Sequence, residues 1–65
     1  MIVKRINKRT KEESYFCGYD MDQPDFCSWV NVKIGAKSLK EEIAKALVNF
    51  ILINRKDTFY RFEII

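Results

Sequence analysis

The sequence predicts an α+β fold: an antiparallel β-sheet in β-β-β-α-β order, with one helix packed on one face. Three observations carry this expectation. Apolar and polar residues alternate over positions 26–34, the period of a half-buried strand. Ser38-Leu39-Lys40-Glu41 is a capping box, and it opens an apolar segment with helical spacing. Aromatic and β-branched residues cluster before and after these two segments. With 65 residues, the whole of 1–65 is expected to form one small domain.

The elements follow in chain order. Residues 2–9 read as a first strand, with Ile2, Val3 and Ile6 set among basic residues. Thr10-Lys11-Glu12-Glu13 reads as a polar turn, and 14–20 as a second strand rich in aromatics. Pro24 and the clustered aspartates make 21–25 a loop. In the third strand Phe26, Ser28, Val30, Val32 and Ile34 take one face, and Gly35 ends it. The capping box predicts a helix over 39–54, because Ser38 can accept from the Glu41 N–H and Glu41 from that of Ser38. Arg55 and Lys56 suit the negative end of its dipole. Residues 58–65 read as the last strand.

Two features point beyond a plain monomer. The helix is apolar nearly all round after Ala44. If Leu47, Phe50 and Ile53 face the sheet, then Val48, Ile51 and Leu52 form a second apolar side. Either the sheet curls and the chain ends cover that side, or it is the seam of a homodimer or of a complex with another protein. The second feature is the hairpin of strands two and three. Pairing about Asp22 sets Tyr15 opposite Trp29, Cys17 opposite Cys27 and Tyr19 opposite Asp25. That register buries Phe16 and Val30 under the helix. It leaves an outer face of Tyr15, Tyr19 and Trp29, with Lys33 beyond, as a partner-binding patch. A slip of one residue would exchange the two faces.

Composition excludes more than it assigns. There is no histidine, so a histidine-based triad, a Cys–His nucleophile and a histidine-ligated zinc are all ruled out. Cys17 and Cys27 alone cannot complete a four-ligand structural metal site within one chain. Two thiols are expected rather than a disulfide. Asp20, Asp22 and Asp25 resemble a calcium loop only faintly, since Asp25 and Asn31 stand where such a loop needs Gly and Glu. Glu41 and Glu42 are explained by the helix dipole. The expectation is therefore a non-enzymatic protein with no cofactor and no metal. Met1-Ile2-Val3-Lys4 lacks the apolar core of a secretory leader, and no apolar run is long enough to span a membrane, so a cytoplasmic protein is expected.

Charge is polarised although the net value is only +3. Lys4, Arg5, Lys8, Arg9 and Lys11 crowd the N-terminal strand and turn, while Asp20, Asp22 and Asp25 share one loop. The layout of Tyr15-Phe16-Cys17-Gly18-Tyr19-Asp20, a capped helix and a closing Tyr60-Arg61-Phe62-Glu63-Ile64-Ile65 resembles small bacteriophage accessory proteins. That resemblance implies an accessory protein that binds a host protein, and it carries over no site residues. Two function classes follow. The first is a protein-binding module, an inhibitor or regulator acting on a host protein or pairing with itself. The alternative is a single-stranded nucleic-acid binder, with the aromatic face stacking bases and Lys4, Arg5, Lys8 and Arg9 tracking phosphates.

Overall fold

The computed structural model describes residues 1–23, 26–55 and 59–65, without the side chains of Asn54 and Arg55. Pro24, Asp25, Lys56, Thr58 and the Arg55 side chain, to which the sequence gives loop, dipole and strand roles, lie outside the described residues. Strands β1 (Val3–Asn7), β2 (Glu13–Tyr19), β3 (Cys27–Val30) and β4 (Tyr60–Ile64) form one antiparallel sheet in the order β3-β2-β1-β4. Helix α1 (Glu41–Arg55) packs on one face. The α+β class and the β-β-β-α-β order are thus as the sequence predicts.

The face under the helix carries Val3, Phe16, Cys27, Trp29, Phe62 and Ile64. Ala44, Leu47, Val48 and Ile51 meet it from α1. These four sit at i, i+3, i+4 and i+7, the spacing of one helical stripe. Val3 and Phe16 are completely enclosed. Truncating a buried phenylalanine costs about 3–5 kcal/mol, a large share of what holds so small a domain together.

The hairpin register differs from the expected one. Tyr15 pairs with Val30 and Phe16 with Trp29; beyond a bulge, Gly18 pairs with Ser28 and Tyr19 with Cys27. Cys17 is the extra residue of the bulge, and its thiol donates to Ser28. Gly18, at φ 157°, takes up the backbone distortion. The alternation seen in sequence carries no mark of this inserted residue. The bulge and the one-residue slip put Trp29 under the helix and Tyr15 on the opposite face. Cys17 and Cys27 therefore do not face each other, and both are free thiols.

Element boundaries also move, and the first strand ends at Asn7 rather than at 9, with Glu13 of the expected turn inside β2. The third strand ends at Val30 rather than at 34, and Lys33–Gly35 form a 3₁₀ turn. In the observed register, positions 33 and 34 would need partners at Glu12 and Lys11. Those residues precede β2, and Lys11 has φ 68°. The 3₁₀ turn folds back against Val30: a Cβ on Gly35 would stand 3.2 Å from the Val30 side chain. The second sheet face is thereby partly covered, and Tyr15 and Ile6 are buried on it. The helix starts at Glu41 rather than Leu39, because Leu39 exchanges backbone hydrogen bonds with Met1 at 2.6 and 2.7 Å.

Candidate functional site

A concavity lies between the tip of the β2–β3 hairpin and the first half of α1. Tyr19, Met21 and Phe26 form one wall, and Glu42, Ile43, Ala46, Leu47 and Phe50 the other. Its volume is about 570 Å³, within the ordinary range for binding clefts. Apart from the buried Leu47, the large apolar side chains lining it are well exposed: Met21 is 76% accessible, Tyr19 61%, and Ile43 and Phe50 45% each. A contiguous set of this kind, as distinct from scattered exposed residues, marks an interaction surface.

Local structure fixes both walls. The hairpin tip closes through Asp20 N–H to Phe26 O at 2.9 Å and Phe26 N–H to Gln23 O at 3.0 Å. The Asp20 carboxylate accepts from the Asp22 N–H at 3.0 Å. Phe26 sits at φ 59°, a left-handed conformation that turns the chain sharply into β3. Tyr19 is anchored edge-on to Phe16, with ring centroids 5.2 Å apart. On the helix side Ile43, Ala46 and Phe50 follow one another at i, i+3 and i+7. They form a stripe beside the core stripe, with Ala46 as its smallest side chain.

No protein-family model, curated protein or solved structure matches this chain.

The expected aromatic platform is not assembled. Tyr15 and Trp29 lie on opposite faces, and only Tyr19 reaches an open surface, the groove. Trp29 stands 5.9 Å from Phe16 and 6.1 Å from Phe62, ring to ring, as part of the packed face. Lys33 is exposed in the 3₁₀ turn and does not line the groove. The expected second side of the helix is corrected too. Ile51 is buried in the core, Val48 packs against it, and of the three only Leu52 is exposed. Phe50 and Ile53, expected to face the sheet, are the exposed ones.

The basic residues divide. Lys8 and Arg9 are exposed in the β1–β2 turn. Lys4 holds Glu13 at 2.8 Å, and that hydrogen bond raises its ammonium above the ordinary lysine pKa, against an opposing effect of burial. Arg5 is stacked between two rings, 4.5 Å from the Trp29 centroid and 4.3 Å from that of Tyr60, while its Nε donates to Ser14 Oγ at 3.1 Å. This stack lies at a shallow depression of about 80 Å³ shared with Asn7, Glu12, Glu13 and Asn31. It is a structural cation–π sandwich that ties β1, β3 and β4 together. Among the described residues no cluster of metal-ligating side chains occurs, and no helix is long and apolar enough to cross a membrane.

Sequence reasoning missed Met21, Phe26, Ile43 and Phe50 as a group. One signal was present: Met21 and Phe26 bracket a loop that is otherwise polar, where apolar side chains have no core to enter.

Proposed function

We propose that this chain is a small, non-enzymatic protein-binding module that seats part of another protein in the groove between the hairpin tip and α1. The observation that carries the reading is the grouping of Tyr19, Met21, Phe26, Ile43 and Phe50 as exposed apolar walls around one concavity. Met and aromatic residues are enriched at interface cores, and a groove desolvates a partner's side chains better than a flat face does. The module acts in the cytoplasm as an accessory inhibitor or regulator, by occupying its partner. The nucleic-acid alternative has less support, because Tyr15 and Trp29 do not share a face and Arg5 is held between two rings.

The test is affinity capture from the producing cell, with and without nuclease, comparing the parent chain with Met21→Asp. Met21 is so exposed that the substitution leaves the fold intact. A protein recovered by the parent and lost with Met21→Asp supports the groove. A protein recovered equally by both sends the binding surface elsewhere. Capture that vanishes with nuclease favours the alternative.

A further inference from the structure

The lining of the groove is apolar except for one carboxylate. Glu42 supplies it from the helix side. Asp20 and Asp22 stand in the hairpin tip, beside Tyr19 and Met21. The ion pairs formed among the described residues, Lys4–Glu13, Glu41–Lys45 and Arg61–Glu63, lie elsewhere. Neither Asp22 nor Glu42 has a cationic partner among the described residues. One carboxylate, Glu42, thus lies in the lining of an apolar trough, and Asp20 and Asp22 flank Met21 of the opposite wall in the chain, in a protein whose net charge is +3.

Resting on the reading of the groove as a protein-binding site, we propose that its occupant is a basic amphipathic helix of another protein. That helix would lay apolar anchors between the walls and direct Lys or Arg toward Asp22 and Glu42.

Shape and charge support this choice over other protein occupants. The helix wall from Ile43 to Phe50 spans about two turns, or roughly 11 Å. That length matches anchors at i, i+3/i+4 and i+7 on a docked helix. Ala46, the smallest side chain of that wall, lies between Ile43 and Phe50, where a large anchor meets the least bulk. The walls come from the last residue of β2, the loop tip and the helix, with no two consecutive strand residues among them. No run of strand backbone lines the groove, so an added β-strand would find no pairing partner there. A second copy of this chain fits poorly, because at a twofold axis a patch meets itself. Asp22 and Glu42 would then face carboxylates of the same kind, an arrangement that costs affinity.

The experiment uses the full chain as bait for a displayed library of random peptides about 16 residues long, roughly four helical turns. Enriched peptides are then bound in solution to the parent, to Met21→Asp, and to Asp22→Lys/Glu42→Lys, in which both replaced residues are exposed. Fluorescence anisotropy reads binding, and circular dichroism confirms the fold of each variant. The proposal expects enriched peptides with helical apolar spacing and net positive charge. Their binding should be lost with Met21→Asp and weakened roughly tenfold with the double variant at low salt, a gap that narrows at high salt. Enrichment of neutral or acidic peptides that still depend on Met21 would overturn the basic helix and leave the groove standing as a binding site. Enrichment indifferent to Met21→Asp, or none at all, would overturn both readings. A dimer seen in light scattering and abolished by Met21→Asp would make a second copy the occupant instead.

Discussion

Ile51 and Ile53 are the same side chain two positions apart on α1, yet they are expected to respond very differently to truncation. Ile51 is 5% exposed in the cluster with Val3, Phe16 and Leu47, whereas Ile53 is 61% exposed. Ile51→Ala removes a buried branched side chain and leaves a cavity, at a cost of about 2–5 kcal/mol. Ile53→Ala changes a mostly solvated position and should fall within about 0.5 kcal/mol of the parent. A 65-residue domain has a total stability of roughly 3–10 kcal/mol. Because Ile51→Ala alone can approach that total, Ile51→Val, expected at about 0.5–1.5 kcal/mol, supplies a milder companion. Urea unfolding followed by Trp29 fluorescence is a suitable assay, since that ring packs between Phe16 and Phe62 and its surroundings change on unfolding. Equal costs at the two positions, or a larger cost at Ile53, would refute the observed phase of the helix. The geometry of the groove would fall with it.

Three further outcomes follow from the sheet. Gly18→Ala should destabilise by about 1 kcal/mol or more, measured by the same unfolding curves, because φ 157° disfavours a side chain although the space beside Gly18 is open; no loss would mean that the bulge relaxes freely. Native alkylation followed by mass spectrometry should label Cys17 and spare Cys27 until the chain unfolds, since only Cys27 is buried; a Cys17–Cys27 disulfide in the native protein would contradict the register. The Lys4–Glu13 contact raises the lysine pKa above its ordinary 10.5, so its contribution is intact below that value and disappears as pH rises through the raised one. The stability difference between the parent and Lys4→Met should therefore shrink on moving from about pH 8 to pH 11, and a constant difference would mean that the pair is not formed.

The order of elements is legible in the sequence because each local signal is strong on its own. Aromatic and β-branched runs mark the strands, and the apolar segment after Ser38 marks the helix. The faces are less legible, for two physical reasons. A helix apolar on nearly every side does not declare which side packs: the quartet Ala44, Leu47, Val48 and Ile51 competes with Leu47, Phe50 and Ile53, and only the sheet decides between them. A bulge at Cys17 leaves no trace in the alternation of β2, yet it changes which residues of β3 stand opposite. The groove depends on both, since Tyr19 reaches it through the register and Phe50 through the helix phase. The carboxylates Asp20, Asp22 and Glu42 stand out in the sequence, whereas the place of Glu42 in the groove lining is legible only in the fold.

The most direct test of the central claim is amide chemical-shift mapping of the isotope-labelled chain, titrated with a protein or peptide captured as described above. The account predicts shifts concentrated at Tyr19, Met21, Phe26, Ile43, Ala46 and Phe50, with Asp22 and Glu42 at the border. Shifts concentrated instead on the opposite sheet face around Tyr15 and Val30, or in the basic turn at Lys8 and Arg9, would contradict it.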